Sequence, residues 1–196
     1  MIKLGITGGI GSGKSYVAHL LEQRGFSVYD TDSEAKRLML SDTDIRKGLI
    51  DLLGNEVYSG GKLNKSLLAN YLFATEMNTA RINSIVHPCV KKDFLRWVAS
   101  RSCDELVVLE SAILYESGFE DVVDYVVAVY APLETRIHRA MERDCSTEEQ
   151  VRKRIASQMD EEVKCSRADF VVINDGRPLL PQLDDLLKAL KNGKGG

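Results

Sequence analysis

The stretch that decides the fold of this chain lies close to its N-terminus. It reads Gly8-Gly9-Ile10-Gly11-Ser12-Gly13-Lys14-Ser15, which matches the pattern G-x-x-x-x-G-K-[ST]. In this pattern the glycines let backbone amides curl round phosphate oxygens, because no Cβ stands in the way. A glycine turn without that task would not need Lys and Ser at this spacing. We therefore predict a phosphate-binding loop.

The segments on either side of the loop agree with this prediction. Residues Ile2 to Thr7 are apolar and β-prone, and a helical apolar pattern follows the loop as far as Gly25, a candidate C-cap. In the order strand, loop, helix, Lys14 is expected to reach the β- and γ-phosphates of ATP, and the Ser15 hydroxyl to ligate Mg²⁺. The predicted ATP-binding residues of this segment are Gly9, Ile10, Gly11, Ser12, Gly13, Lys14, Ser15 and Tyr16.

Four later apolar runs predict further strands of a parallel sheet, because they read as buried on both faces. They are Ser27 to Asp30, Glu105 to Leu109, Tyr125 to Tyr130 and Phe170 to Ile173. Helical patterns alternate with the outer strands, so we expect an α/β fold with a doubly wound parallel sheet of the P-loop NTPase type.

The middle of the chain breaks this alternation. Between about 41 and 100 we find only helical patterns, the last of them opened by Pro88. The expected organisation is a core of residues 1–40 and 101–192, a helical insertion of residues 41–100, and a flexible tail of residues 193–196.

Composition limits what the chain does. Of its 196 residues, 44% are hydrophobic and 28% are charged, which suits one compact domain or a core with a modest insertion. The formal net charge of −3 gives no general attraction to nucleic acid or to an anionic membrane, so neither is expected as a partner. The four scattered cysteines form no C-x-x-C pair, and glycines and Lys14 interrupt the N-terminal apolar stretch. We expect a cytoplasmic protein with free thiols, and no protein partner is evident.

Residues outside the loop narrow the class of protein. A GTPase would need an N-K-x-D motif in the second half of the chain, and none occurs there. Asn64-Lys65-Ser66-Leu67 comes too early and lacks the Asp. The absence of this motif argues against a GTPase and leaves motor ATPases and small kinases.

Three carboxylates follow predicted strands, where open α/β sheets place their ligand-binding groups. Asp30 ends the second strand and Asp32 follows it, and Asp32 is the candidate to accept a proton from an attacking hydroxyl. The alternative is that Asp32 caps the next helix. Glu110 ends another apolar run as a Walker-B-like acid would, so it is a candidate Mg²⁺ ligand, with a plain strand-end residue as the alternative.

A stripe of arginines is the remaining cationic feature. Arg136, Arg139 and Arg143 recur at spacings of three and four, which places them on one face of a predicted helix. Arg154 follows across a polar turn. Guanidinium groups suit phosphate oxygens, so we expect a lid at about 136–158 with Arg139, Arg143 or Arg154 as a phosphate clamp. The alternative is a solvated face paired with neighbouring glutamates.

Taken together, these features resemble the dephospho-CoA kinase family over nearly the whole chain. Val28-Tyr29-Asp30-Thr31-Asp32 is similar to the family's second-strand D-x-D, whose second acid is the catalytic base. Val86-His87-Pro88 looks like the family's H-P step near the acceptor pocket. Arg154 to Gln158 and Ala168 to Gly176 resemble its R-I-x-x-Q and A-D-x-V-I-x-N-x-G stretches, where nucleotide contacts are expected.

The resemblance implies an activity and assigns residues to it. The implied reaction is MgATP-dependent phosphorylation of the ribose 3′-hydroxyl of dephospho-CoA, with the helical insertion binding the acceptor. The implied catalytic residues are Asp32, Lys14, Arg139 and Arg143. Further ATP contacts are implied for Arg154 and Asn174, and acceptor contacts for Asp32, His87 and Glu116. A nucleoside or nucleotide kinase of the same fold and a non-catalytic ATP-binding switch are the rival functions.

One stretch departs from the family pattern. The family usually has P-L-L-F-E after its third strand, whereas this chain has Ala112-Ile113-Leu114-Tyr115-Glu116. The apolar pair, the aromatic residue and the acid remain, but the Pro is lost. The replacement affects the backbone course of this loop and the acceptor contact expected of Glu116.

Overall fold

The computed structural model describes residues 1–193, apart from the side chain of Phe73. Residues 194–196, part of the tail expected to be flexible, lie outside the described residues. The chain divides into two compact units. One comprises Met1–Tyr29 together with the described residues from Cys103 onward, and the other comprises Asp30–Ser102.

The secondary structure alternates in the outer parts of the chain and is mainly helical in the middle. The strands are β1 (Ile2–Thr7), β2 (Ser27–Asp30), β3 (Tyr58–Ser59), β4 (Lys62–Leu63), β5 (Leu106–Glu110), β6 (Tyr125–Tyr130) and β7 (Phe170–Ile173). The helices are α1 (Lys14–Glu22), α2 (Thr31–Ser41), α3 (Thr43–Leu53), α4 (Lys65–Ala74), α5 (Glu76–Ala99), α6 (Leu133–Asp144), α7 (Glu148–Ala156), α8 (Glu161–Arg167) and α9 (Leu179–Lys191). Short 3₁₀ turns cover Asn55–Val57 and Phe119–Val122.

The first unit is built on a five-stranded sheet in the order β2-β5-β1-β6-β7. The pairs β1–β5, β1–β6 and β6–β7 are parallel, so the doubly wound α/β prediction is confirmed. Four strands have the predicted bounds, and β5 is shifted by one residue so that it includes Glu110. In the register of the sheet, Ile6 of β1 lies opposite Glu110 of β5. The loop that follows β1 therefore starts beside Glu110. Because β1 lies between β5 and β6, this is the crevice at the carboxyl ends of the strands where open α/β sheets bind their ligands.

The core of this unit lies on both faces of the sheet, as expected for parallel strands. All five residues of β5 are buried, and Leu4 and Ile6 of β1 are completely buried. One buried cluster joins the sheet to α1 and α9, which each present an apolar stripe. Its members include Leu4, Ile6, Val17, Leu21, Val108, Val127, Leu183 and Leu186. This packing fixes the first turn of α1, where the phosphate-binding loop ends.

The second unit contains helices α2 to α5, and a polar side chain caps the start of each; Asp30 caps α2. Asp42 caps α3, Asn64 caps α4 and Thr75 caps α5, each by accepting a backbone N–H of the first turn. The prediction that Pro88 opens a helix is wrong, because Pro88 lies inside α5. The buried residues Ile82, Val86, Val90 and Phe94 continue at helical spacing across it. Packing of this apolar stripe offsets the one backbone hydrogen bond that proline removes.

The prediction that residues 41–100 contain no strand is also wrong. Strands β3 and β4 form a small antiparallel hairpin in which Tyr58 pairs with Leu63. Gly60 and Gly61 join them with φ values of 57° and 77°. A Gly-Gly turn with both φ values positive is a hairpin signal, but strands of two residues are too short to give a period-2 pattern.

Two further expectations concern the whole of the described chain. The cysteines Cys89, Cys103, Cys145 and Cys165 are free, as predicted. Among residues 1–193, no helix has the length and the apolar character needed to cross a membrane.

Candidate active site

The loop between β1 and α1 has the shape that its glycines predict. Gly11 and Gly13 have φ values of 79° and 94°, a region that residues with a Cβ rarely adopt. A Cβ on Gly11 would overlap the backbone of Arg136, and one on Gly13 would overlap the amide of Asn174. Helix α1 begins directly after, at Lys14. Conformation and close packing therefore both require glycine here.

Lys14 and Ser15 meet one carboxylate at the end of the neighbouring strand. The Ser15 hydroxyl donates to Glu110 Oε1 at 2.5 Å, and Lys14 Nζ lies 3.7 Å from the same oxygen. The side chains of Lys14 and Glu110 are largely buried. The strand register that puts Glu110 opposite Ile6 brings these three residues together. This is the arrangement of a P-loop lysine, a P-loop hydroxyl and a Walker-B-like acid.

The residues at this point fit a magnesium ion that is shared with a nucleotide. Hydroxyl and carboxylate oxygens are the ligands that Mg²⁺ prefers, and it usually takes one or two from protein and the rest from water and phosphates. Among residues 1–193 there is no cluster of three or more His, Cys, Asp or Glu side chains that could hold a metal by itself. Ser15 and Glu110 therefore suit Mg²⁺ bound together with a substrate.

Two predicted residues, Asn174 and Arg139, lie beside the loop. Asn174 Nδ2 donates to the carbonyl of Ser12 at 2.8 Å, and Arg139 Nη1 donates to the carbonyl of Asn174 at 3.2 Å. Asn174 follows β7, whose backbone pairs with β6. The carboxyl ends of three strands thus contribute to the same site, as expected for an open parallel sheet.

The other two candidate lid arginines bind a different group. Arg143 Nε and Arg154 Nη1 donate to the two oxygens of Asp144 at 2.8 Å and 2.6 Å. These guanidinium groups hold the pKa of the Asp144 carboxyl well below its usual range. Asp144 thus ties the end of α6 to α7. Tyr16, also predicted to contact ATP, is 57% exposed in the first turn of α1.

The loop also contacts residues that the sequence patterns did not single out for this position. Glu161 accepts the N–H of Gly9, Gln158 accepts the N–H of Ile10, and Arg136 donates to the carbonyl of Ile10. The pKa of Glu161 lies above its ordinary value, because the effect of burial outweighs those of Arg136 and the Gly9 N–H, which lower it. Arg136 was expected on the lid face, but it is 5% exposed. Only Gln158 had a signal in the sequence, through its R-I-x-x-Q stretch.

Glu116 forms an ion pair within the first unit. Glu116 Oε1 lies 3.1 Å from Lys164 Nζ and accepts the N–H of Met159 at 2.8 Å. Lys164 is completely buried and also donates to the carbonyl of Ala112 at 2.6 Å. Both ends of the stretch that departs from the family pattern are therefore held by the same lysine.

Asp32 and His87 belong to the second unit. Asp30, not Asp32, caps α2, because the Asp30 side chain accepts the N–H of Asp32 at 3.0 Å. The capping alternative for Asp32 is therefore wrong, and its side chain is exposed in the first turn of the helix. His87 lies inside α5, not at its start, and burial lowers its pKa.

The fold and the loop together define the class of protein: a P-loop kinase. A family model described as dephospho-CoA kinase matches residues 2–179. A dephospho-CoA kinase of Bacteroides fragilis is 55% identical over 190 residues, covering 96% of this chain and 93% of that protein.

Solved structures agree with the sequence comparison. A protein from Thermus thermophilus matches with 36% identity and a TM-score of 0.80, covering 97% of this chain and 96% of that one. A dephospho-CoA kinase from Campylobacter jejuni has the same fold at 20% identity, with a TM-score of 0.70 and coverage of 97% and 98%. The chain belongs to the dephospho-CoA kinase family, whose reaction is the last step of coenzyme A biosynthesis.

Proposed function

We propose that this chain transfers the γ-phosphoryl group of ATP to the ribose 3′-hydroxyl of dephospho-CoA, giving ADP and CoA. The observation that carries the phosphoryl-transfer part is the convergence of Ser15 and Lys14 on Glu110 beside a glycine loop. Family membership supports dephospho-CoA as the acceptor. The resemblance of the D-x-D and H-P stretches supports the same acceptor.

In this proposal Ser15 and Glu110 hold Mg²⁺. Bound there with ATP, the ion would neutralise charge on the phosphates. Lys14 is the cation of the loop. It stabilises the negative charge that moves from the γ-phosphate to the leaving group during transfer. The contact of Lys14 with Glu110 supports this role, because it holds the amine at the loop.

Arginine side chains of the lid supply further positive charge. Arg139 is the favoured candidate to contact the transferring phosphate, because it lies beside the loop. Its guanidinium group donates a hydrogen bond to the Asn174 carbonyl, and the Asn174 amide donates one to the loop. Arg143 and Arg154 share Asp144, so a phosphate contact by either one requires that ion pair to open. Residues of about 136–158 would then act as the lid over the nucleotide.

The acceptor side of the proposal rests on the resemblance. Asp32 would accept the proton of the 3′-hydroxyl as its oxygen attacks the γ-phosphorus, and the bond from that phosphorus to the bridging oxygen of ADP would break. His87, Glu116 and the helical insertion would bind dephospho-CoA. The exposure of the Asp32 side chain and the cap supplied by Asp30 support a role for Asp32 other than helix capping.

A panel of acceptors tests the proposal directly. Dephospho-CoA, AMP, CMP, adenosine and shikimate are each incubated with MgATP and the protein, and ADP release is measured. Mass spectrometry and phosphorus NMR then locate the new phosphate. We expect efficient turnover of dephospho-CoA alone, with phosphate on the 3′-oxygen.

The alternatives give different results in the same assay. Preferred turnover of AMP or CMP would identify a nucleotide kinase and refute the acceptor. ATP binding with no acceptor-dependent ADP release would identify a binding switch and refute the enzyme.

A further inference from the structure

A buried ion pair holds the outer edge of the phosphate-binding loop, and the proposed reaction does not use it. Glu161 Oε2 accepts the N–H of Gly9 at 2.8 Å and lies 3.2 Å from Arg136 Nη1. Arg136 Nε donates to the carbonyl of Ile10 at 3.1 Å. The two charged side chains are 6% and 7% exposed. Each buried charge keeps the other in place, because either one alone would be strongly unfavourable there.

Gln158 completes this group, which we call the loop clamp (Arg136, Gln158 and Glu161). Its Oε1 accepts the N–H of Ile10 at 3.0 Å. Both polar backbone atoms of Ile10 and the N–H of Gly9 are therefore bonded to the clamp, which orients three consecutive peptide groups. A Cβ on Gly9 would overlap the ends of the Arg136 and Glu161 side chains. A side chain at position 9 would thus displace the charged groups of the clamp.

Further hydrogen bonds connect these peptide groups to the part of the loop that is proposed to receive the phosphates. The carbonyl of Gly9 accepts the N–H of Ser12 at 3.0 Å. The carbonyl of Ser12 accepts the Asn174 amide at 2.8 Å. The loop is thus held by the clamp on one side and by Asn174 on the other. A set of amides binds an anion well only if the amides already point to one centre before the anion arrives.

Charge balance explains why an acid is tolerated beside an anion site. A carboxylate alone at Gly9 would repel phosphate, but Arg136 at 3.2 Å neutralises it. The pair therefore fixes the loop without adding net negative charge to it.

We propose that Glu161 is a positioning residue for nucleotide binding, which acts through Gly9 and Arg136 to hold the loop in the shape that receives the phosphates. The inference rests on the proposed ATP-binding role of the loop.

The test compares Glu161→Ala and Glu161→Gln with Glu120→Gln. Glu120 forms a more exposed ion pair, at 3.0 Å, with Arg167, which lies at the other end of α8. The Kd of MgADP is measured by calorimetry, together with the KM of ATP, the KM of dephospho-CoA and the Tm.

We expect Glu161→Ala to weaken MgADP binding by about tenfold or more, since a buried charged acceptor is lost. The KM of ATP should rise in parallel, and the KM of dephospho-CoA should stay constant. Glu120→Gln should leave MgADP binding unchanged.

Glu161→Gln provides the rescue arm. Its amide oxygen still accepts the Gly9 N–H but faces Arg136 without charge, so we expect a weakening of MgADP binding between those of wild type and Glu161→Ala. A purely structural role would lower the Tm without a selective change for nucleotide. Wild-type MgADP affinity in folded Glu161→Ala, or in Glu161→Gln if the Ala variant does not fold, overturns the inference. A parallel rise of both KM values overturns it too.

Failure of the proposed function gives a different result. A protein that binds MgADP in a Glu161-dependent way but phosphorylates no dephospho-CoA would refute the function and support this inference.

Discussion

At the level of single residues, Lys14 is the side chain on which the proposed chemistry depends most. Lys14→Ala should lower kcat by roughly 10²- to 10³-fold, because the lysine stabilises charge that moves during transfer. Lys3→Ala is the matched control: Lys3 lies in the preceding strand and pairs with Asp124 at 3.2 Å near the surface. A coupled ADP assay and circular dichroism provide the measurements. Turnover of Lys14→Ala within a few-fold of wild type would contradict the assignment of the loop.

Asp30 and Asp32 carry different predicted roles although they are two residues apart. Asp32→Asn should lower kcat by about 10²-fold or more at unchanged KM for ATP, the range for loss of a general base. Its Tm should not change, because Asp30 supplies the helix cap. Asp30→Ala should instead lower the free energy of unfolding by about 1 kcal/mol. A wild-type kcat for Asp32→Asn would remove Asp32 from the mechanism.

Tyr115 buries a hydroxyl for which no hydrogen-bond partner exists among the described residues. Tyr115→Phe should therefore leave the free energy of unfolding unchanged or raise it by up to about 1 kcal/mol, as measured by urea unfolding. Tyr58→Phe is the control, since the Tyr58 hydroxyl donates to the carbonyl of Met39 at 2.6 Å. Its loss should lower stability by about 1 kcal/mol.

The same residue predicts a pH dependence. Burial raises the pKa of Tyr115 to about 12, so its neutral form is favoured in the folded state. The stability that this preference contributes is complete below pH 10, near the ordinary pKa of tyrosine, and is lost as the pH rises to about 12. Tyr115→Phe should lack this loss. An absorbance titration that shows every tyrosine ionising near pH 10 would contradict the prediction.

At the level of elements, the phosphate-binding loop and α6 lie so close that one glycine decides their contact. Gly11→Ala should lower stability by more than the 1–2 kcal/mol of left-handed strain alone, because its Cβ would also overlap the backbone of Arg136. MgADP affinity should fall with it. Gly25→Ala is the control for strain without overlap: its φ is 89° and no atom lies within 4 Å of a Cβ there. Equal losses of stability in the two variants, measured by urea unfolding, would show that the contact with α6 is unimportant.

At the level of the whole molecule, ligand binding should appear as a change in melting temperature. A ligand at about 100 times its Kd stabilises a protein by about 2.7 kcal/mol, which for this length corresponds to a rise in Tm of roughly 5–10 °C. We expect such a rise with MgADP, a much smaller one when EDTA removes Mg²⁺, and little or none in Lys14→Ala. An equal rise with and without Mg²⁺ would contradict the metal role of Ser15 and Glu110.

Local pattern was sufficient wherever the structure depends on neighbours in sequence. The strands β1, β2, β6 and β7 were predicted with their bounds from their short, β-prone apolar runs, although the edge strands β2 and β7 are only partly buried. The glycine loop was predicted for the same kind of reason, since its conformation excludes side chains. The position of Pro88 was predicted wrongly, because packing along α5 outweighs the usual local effect of proline. The hairpin at Gly60 was missed, because its two-residue strands are too short to show a pattern.

The sequence by itself determined the α/β fold, the phosphate-binding loop and the family. Only the tertiary structure decided which polar groups meet at the loop. Glu161 and Gly9 are 152 residues apart, and no periodicity or spacing relates them. Two arginines of one predicted helix face have different surroundings in the structure. Arg136 is buried against the loop, whereas Arg143 is exposed and pairs with Asp144. Patterns report whether a residue is buried or turned to solvent, whereas the partner of a buried charge depends on which distant segments the folded chain brings together.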